Sequence, residues 1–168
     1  YGREELLEQM PPDLQAFARV LCNVPLRPGA LAHVNVEDIN LATGELVIRK
    51  DKAGAGRRFV VPKLVLDLAR AHSKSKLPRA PVFTRWDGTP WNKDSWKDGF
   101  KKAAAAAGLP PETTMYSLRH STITDLATGG MDLMNLAHVA GTSLLMLQKH
   151  YGHLRADHAV AHMERHAI

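Results

Sequence analysis

The side chains that could do chemistry form a sparse set spread over most of the chain. Arg27 lies in the segment LRPGAL, Lys52 in a glycine-containing linker, Arg119 in YSLRHS and Tyr151 in KHYGHL. A guanidinium group forms bidentate contacts with oxyanions and keeps its charge at any working pH. A tyrosine hydroxyl is a weak nucleophile at neutral pH, so it must be aimed at its target and lose its proton to a neighbour. Each residue alone is a weak signal, and the ordered set is a strong one.

Several enzyme classes are excluded because the chain lacks the motifs that they need, namely a glycine-rich phosphate loop, HExxH and GxSxG. The spacing allows a zinc pair at His150 and His153 or at His158 and His162, but solvated or packing histidines are the better interpretation. The single cysteine, Cys22, excludes an internal disulfide and a cysteine-based zinc cluster. We interpret it as a small buried hydrophobic residue in a reducing compartment, a cytoplasm.

The composition is that of one globular domain. The chain has 168 residues, of which 45% are hydrophobic and 23% are charged. No apolar run reaches the roughly 20 residues that a membrane-spanning helix needs, so we expect no membrane partner. The 22 basic and 17 acidic residues give a net charge of +5, which permits a polyanionic partner without requiring one. Because the chain begins at Tyr1 without a signal peptide, we expect that an upstream part is missing.

The periodicity predicts a mainly α-helical domain with a small antiparallel β-hairpin, an α+β fold. Helical patterns cover REELLEQM, PPDLQAFARVLCNV, LRPGALAHV and residues 63–73. A further helix is predicted to begin after a capping Asn92 and to end at Gly108, and four more helical segments make up the last third of the chain. The hairpin is predicted from LVIRK and RRFVVP, which are joined by DKAGAG.

In their order and approximate spacing, these segments resemble the tyrosine recombinases of the phage-integrase family. The resemblance runs from LRPGAL through the lysine hairpin and the YSLRHS helix to the terminal tyrosine. It implies a single catalytic domain over residues 1–168, with an upstream core-binding DNA-clamp domain absent from this fragment. The implied function is site-specific recombination, in which DNA strands are cleaved and rejoined through a 3′-phosphotyrosyl intermediate. Such a reaction uses neither a cofactor nor a metal ion.

The resemblance also implies roles for individual residues. Arg27 and Arg119 match the two arginines that clamp the scissile phosphate, and Tyr151 matches the nucleophile. Lys52 matches the hairpin lysine that protonates the departing 5′ oxygen as a general acid. The hairpin is about two residues longer than is usual in the family, so Lys50 is a rival for this role.

Two site positions depart from the common family pattern. Tyr116 stands where a histidine usually lies three residues before the second arginine, and Thr142 stands where a histidine or tryptophan usually lies nine residues before the nucleophile. A threonine hydroxyl donates a hydrogen bond but cannot exchange a proton at neutral pH as imidazole can. We expect His120 to face another side of its helix than Arg119, because successive helical residues diverge by about 100°. It would then be a poor substitute, and the general base stays open.

The expected partner is duplex DNA, bound in the nucleoid of a bacterial cytoplasm. Arg27, Lys52 and Arg119 would contact the DNA at the reacting phosphate. A lysine-rich face on the helix after Asn92 would track the phosphate backbone with little sequence preference, through Lys93, Lys97 and Lys101.

The assembly expected from the resemblance is a homotetramer on DNA and a monomer when the protein is free. After Tyr151 the chain continues as an amphipathic tail with Val160 and Met163 on one side. In the resembled family such tails dock onto a neighbouring protomer. The sequence equally allows the tail to fold back onto its own domain.

Three alternatives stay open at the level of sequence. The substitutions at Tyr116 and Thr142 allow a catalytically degenerate DNA-binding protein with the same fold. The helix, glycine turn and helix around residues 131–151 allow a helix-turn-helix regulator, although this leaves Arg27 and the YSLRHS segment unexplained. A relaxing topoisomerase of similar chemistry cannot be separated by residues alone, but the chain lacks the usual length.

Overall fold

The predicted α+β class is confirmed by a computed structural model that describes residues 2–49 and 56–168, without the side chains of residues 155–158. No helix in these ranges is both long and apolar enough to cross a membrane. In chain order the helices and strands are α1 (Arg3–Glu8), α2 (Pro12–Leu21), α3 (Pro28–Ala32), β1 (Glu45–Ile48), β2 (Arg57–Val60), α4 (Lys63–Ser73), α5 (Lys93–Ala106), α6 (Met115–Thr128), α7 (Leu133–Ala140), α8 (Leu144–Tyr151) and α9 (Ala156–Arg165). Short 3₁₀ helices cover Val36–Asp38 and Gly152–Arg155.

The main core is centred on α2, which is apolar along one face. Leu14, Phe17 and Leu21 are almost completely buried, as their helical spacing predicts. The Phe17 ring stacks on Trp96 of α5 at a centroid distance of 5.4 Å and lies 6.1 Å from the ring of Trp91. Aromatic pairs at such distances add to the hydrophobic stabilisation. This packing fixes α5 and the segment before it against α2.

The long helix α5 begins and ends as predicted. The Asn92 side chain accepts hydrogen bonds from the backbone N–H groups of Asp94 and Ser95, both at 2.9 Å. The Ser95 hydroxyl accepts in return from the Asn92 N–H at 2.8 Å, which completes a capping box. At the other end Gly108 takes a left-handed conformation with φ +74°, where glycine has no steric cost.

The predicted hairpin is confirmed as an antiparallel pair of strands, in which Ile48 faces Arg57 across the ladder. Leu46 and Ile48 are buried against the main core. The register therefore places Arg57 at the end of the sheet that leads into the connecting segment. Lys50 and Lys52, the two candidates for the general acid, lie outside the described residues.

A second, smaller core joins the three helices that follow. Helix α7 is capped by Asp132 and ends at Gly141, and α8 begins after Ser143, whose hydroxyl accepts from the Met146 N–H at 3.1 Å. The helices α6, α7 and α8 pack together through the buried side chains of Ile123, Ala127, Leu136, Ala137, Ala140 and Leu147. This arrangement brings the end of α8 beside α6.

Candidate active site

The two arginines predicted to clamp a phosphate meet at the C-terminal end of α7. Arg119 Nη1 donates to the carbonyl oxygen of Ala140 at 2.8 Å and to that of Pro25 at 2.5 Å. Arg27 Nη1 donates to the carbonyl oxygens of Gly141 at 3.2 Å and Ala140 at 3.5 Å. The last carbonyls of a helix lack partners within the helix and carry partial negative charge, so they suit cations. The carbonyl oxygen of Ala140 thus accepts from both arginines, which come from segments far apart in the sequence.

Arg119 is a cation held inside the protein. Only 4% of its surface is exposed. Burial lowers the pKa of its guanidinium, and the positive charges of Arg27 and Arg57 lower it further. The acceptors of Arg119 named above are neutral carbonyl oxygens rather than carboxylates. Its charge therefore stays available to attract an anion.

A third arginine, Arg57, completes the cationic cluster and was missed by the sequence reasoning. Its Nε donates to the carbonyl oxygen of Val139 at 3.1 Å. The guanidinium packs so closely on Gly141 that a Cβ atom added there would lie 2.5 Å from Arg57 Cζ. Gly141 itself has a left-handed backbone with φ +68°. The alternation of RRFVV could have marked Arg57 as a residue on one face of β2, but its neighbour in space depends on tertiary packing.

Tyr151, the predicted nucleophile, is hydrogen-bonded to His120. The two side chains approach with 2.6 Å between the Tyr151 hydroxyl oxygen and His120 Nδ1, and their ring centroids lie 5.5 Å apart. His120 does face another side of α6 than Arg119, as expected, but that side meets Tyr151, so its position does not make it a poor substitute. Residues 116 and 120 are one helical turn apart and share a face of α6, and this face meets the end of α8. Arg119 points inward from the adjacent face.

The environment of Tyr151 favours the protonated phenol. Tyr151 is the last residue of α8, is half-buried and packs against the smaller core. Burial is the main cause that raises the pKa of its hydroxyl, the positive charge of Arg119 lowers it, and Tyr116 raises it. Arg119, Tyr116 and Tyr151 thus lie close enough to interact electrostatically. At neutral pH the hydroxyl is protonated and needs a proton acceptor before it can attack an electrophile.

Both positions that depart from the family pattern lie at this site. Tyr116 is half-exposed, and the Cζ atom of Arg119 lies 6.0 Å from its ring centroid, within the range of a cation–π contact. Thr142 directly follows Gly141, whose carbonyl oxygen binds Arg27. The Thr142 N–H donates to the Ala137 carbonyl oxygen at 3.1 Å, which fixes the turn between α7 and α8. The site therefore combines residues from α6, from α8 and from the ends of α3, β2 and α7.

The lysines predicted to follow a DNA backbone lie on a different helix. Lys93, Lys97 and Lys101 are all exposed on α5, one turn apart from one another. Asp94 and Asp98 occupy the adjacent row of the same helix and are exposed as well. The lysine row is therefore free to meet an anionic surface, but its field is partly offset by two carboxylates.

A metal site does not emerge from the parts of the chain that the structure describes. Within residues 2–49 and 56–168, excluding the undescribed side chains, no three His, Cys, Asp or Glu residues are grouped to hold a metal ion. Cys22 is the C-cap residue of α2 and is partly buried, rather than fully buried as expected. Burial still raises the pKa of its thiol to about 11, so the thiol is unreactive at neutral pH.

Comparison with known proteins identifies the relatives of this chain. The phage integrase family model matches residues 4–158. The tyrosine recombinase XerA of Pyrococcus furiosus is 25% identical over 171 residues, which cover 96% of this chain and 58% of that protein. The chain thus spans less than two thirds of the length of this relative.

Two solved structures share the fold. The Tn1549 transposon integrase in complex with transposon right end DNA aligns with a TM-score of 0.79 at 20% identity, over 96% of this chain and 63% of that chain. The catalytic domain of bacteriophage HP1 integrase aligns with a TM-score of 0.71 at 17% identity, over 98% of this chain and 92% of that chain. These structural matches agree with the family model, which covers nearly the whole sequence. The chain belongs to the phage integrase family.

Proposed function

We propose that this chain is the catalytic domain of a site-specific recombinase that cleaves and rejoins DNA through Tyr151. The observation that carries this proposal is the convergence of Arg27 and Arg119 on the Ala140 carbonyl, beside a tyrosine whose hydroxyl is hydrogen-bonded to an imidazole. Transfer of a phosphodiester needs cations that bind the phosphate and a nucleophile that is aimed at the phosphorus.

The proposed reaction begins with the scissile phosphate against Arg27 and Arg119. The Tyr151 oxygen attacks the phosphorus, the bond to the 5′ oxygen breaks, and a 3′-phosphotyrosyl ester forms. The two guanidinium groups stabilise the extra negative charge of the transition state. Lys52, or its rival Lys50, would protonate the departing 5′ oxygen. The 5′ hydroxyl of a partner strand then attacks the ester, so the bond energy is conserved and neither ATP nor a metal ion is needed.

The proposed substrate is duplex DNA in the nucleoid. The Tn1549 integrase, which shares this fold, was solved with transposon right end DNA, and this supports the same class of substrate here. We assign backbone contacts to Lys93, Lys97 and Lys101, whose row is exposed. Because each neutralised phosphate releases counterions, this binding would weaken steeply with salt.

The proposed assembly is a homotetramer on DNA that forms from free monomers. In α9 the side chains of Val160 and Met163 are 51% and 66% exposed. A tail that folds back onto its own domain would cover these residues, so their exposure supports docking onto a neighbouring protomer. We also propose that an upstream domain of the whole protein completes the grip on the duplex.

The direct test is a denaturant trap of the covalent intermediate. The intact protein is incubated in EDTA, without ATP, with nicked duplexes and supercoiled plasmid that carry the DNA flanking its own gene. We expect an SDS-resistant protein–DNA band that is lost in Tyr151→Phe and retained, at reduced yield, in Tyr116→Phe. Binding without any covalent band would instead establish the degenerate DNA-binding protein or the helix-turn-helix regulator, and it would overturn the proposal.

A further inference from the structure

His120 is the basic group in direct contact with the proposed nucleophile. Its Nδ1 lies 2.6 Å from the Tyr151 hydroxyl oxygen. A phenol carries one O–H donor and a neutral imidazole has one acceptor nitrogen, so the contact fits a Tyr151 hydroxyl that donates to Nδ1. This direction requires a neutral imidazole that carries its proton on Nε2. The hydrogen bond therefore lies along the path that the phenolic proton must take when the oxygen attacks.

The other described residues of the site are unsuited to accept this proton. Arg27 and Arg119 are cations that donate hydrogen bonds and have no acceptor atom in their side chains. Tyr116 and Thr142, which replace imidazoles of the family pattern, are hydroxyl groups that do not take up a proton at neutral pH. The site thus lacks a base at positions 116 and 142 and has an imidazole at position 120.

A second imidazole lies near Tyr151 but contacts a different part of it. The ring of His150 lies edge-on to the Tyr151 ring, with 6.4 Å between the centroids. The hydroxyl oxygen is bonded to His120. His150 therefore serves as a matched control rather than as a rival.

We propose that His120 is the general base that removes the proton from Tyr151, an inference that rests on the proposed function above. As the bond from the Tyr151 oxygen to phosphorus forms, the phenolic proton moves to Nδ1 of His120. The bond from phosphorus to the 5′ oxygen breaks with its electron pair on that oxygen, which is protonated by the hairpin lysine or by water. The products are a phosphotyrosyl ester, a 5′ hydroxyl and an imidazolium.

The same contact serves the second half of the reaction. When a 5′ hydroxyl attacks the ester, its proton passes to the hairpin lysine or to water, the Tyr151 oxygen leaves, and that oxygen regains its proton from the His120 imidazolium, as microscopic reversibility requires. His120 is exposed on the surface of α6, so the imidazolium that forms is solvated rather than buried beside the arginines. This lowers the cost of a positive charge next to Arg119.

The test measures single-turnover cleavage by the intact protein on a nicked duplex whose scissile position has been mapped from the wild-type covalent product. The decisive variant is His120→Asn, whose side-chain oxygen can accept the Tyr151 hydrogen bond but cannot take up the proton. We expect cleavage to be slower by about 10²-fold or more, the usual contribution of a general base. His150→Asn should cleave at close to the wild-type rate.

Two further experiments distinguish a general base from other roles of His120. Added imidazole should partly restore cleavage by His120→Ala, because it can enter the space left by the ring. A 5′-bridging phosphorothiolate at the scissile position supplies a leaving group that needs no proton, so it should not restore His120→Asn. DNA affinity and the thermal midpoint of His120→Asn should match the wild type, which shows that the variant is folded and binds.

The outcomes separate this inference from the proposed function. Suppose that the wild type cleaves DNA and that His120→Asn cleaves at the same rate, or that the phosphorothiolate fully restores cleavage by His120→Asn. Either result would overturn the role of His120 and leave the recombinase proposal standing. Failure of the wild type to form any covalent product would overturn both.

Discussion

The arginine half and the tyrosine half of the site are built in different ways. Arg119 is buried and bonded to two backbone carbonyls, one from the loop before α3 and one from the end of α7. Tyr151 ends a helix of eight residues over a small core, and its hydroxyl bonds to an exposed histidine. The arginine half is therefore part of the fold, whereas Tyr151 is attached at its margin.

This difference predicts which substitutions affect the stability of the folded state and which affect only the reaction. A residue whose removal leaves buried carbonyls without donors destabilises the folded state. A residue at the end of a short helix can lose its polar atom with little change in the free energy of unfolding. Segments with few buried contacts also open more easily.

The largest effect is expected for Arg119→Ala. The variant leaves the Pro25 carbonyl without this donor and leaves Ala140 with only the longer contact to Arg27. An unsatisfied buried acceptor costs about 1–3 kcal/mol, so the free energy of unfolding in urea should fall by about 2 kcal/mol or more. Cleavage should fall by at least about 10²-fold, as for loss of one oxyanion donor.

Arg58→Ala is the matched control for this variant. Arg58 is 68% exposed and is paired with an exposed Glu45, so its loss should change the unfolding free energy by about 0.5 kcal/mol or less. Equal destabilisation of the two variants would contradict the structural role of Arg119.

A smaller effect than that of Arg119→Ala is expected for Gly141→Ala, for which Gly108→Ala is the matched control. Both glycines have left-handed backbones, with φ +68° and +74°, so each alanine incurs a similar backbone cost of about 1 kcal/mol. Only at Gly141 does the added Cβ meet a neighbour, the Arg57 guanidinium, while Gly108 faces open space. Gly141→Ala should therefore lose more stability in thermal unfolding and also lose cleavage activity. Similar losses for the two variants would show that the contact with Arg57 is unimportant.

The smallest effect on stability is expected for Tyr151→Phe. The phenyl ring keeps the packing against the smaller core, so the unfolding free energy at neutral pH should change by about 0.5 kcal/mol or less. Because the folded pKa of Tyr151 is raised above its usual value near 10, the folded state holds this proton more tightly than the unfolded state. Wild-type stability should therefore fall relative to the variant as the pH rises above about 10. A constant difference between the two unfolding curves across that range would contradict the burial of the hydroxyl.

Local patterns of the sequence predicted most of the elements that build the site. The helix over residues 63–73, the Asn92 cap, the stop at Gly108 and the position of Arg27 at the entrance of α3 are all observed. These features depend on residues within one or two turns of each other, so spacing alone suffices. The pairing of LVIRK with RRFVVP followed from the same kind of local signal.

The contacts that were not predicted depend on how distant elements pack. His120 meets Tyr151 because α6 runs past the end of α8, and a helical-wheel argument within α6 cannot reveal that neighbour. Arg57 reaches Val139 because the hairpin lies against α7, which requires both the register and the docking of the sheet. The roles of Lys50 and Lys52 as general acid stay predictions.

The most direct test of the central claim is mass spectrometry of the trapped protein–DNA complex after digestion with nuclease and trypsin. Trypsin cleaves after Lys149 and Arg155, so Tyr151 is released in HYGHLR, whereas Tyr116 lies in the peptide of residues 103–119. We expect HYGHLR to carry a nucleotide joined through its 3′ phosphate. An adduct on residues 103–119, or a 5′-phosphate linkage on Tyr151, would contradict it.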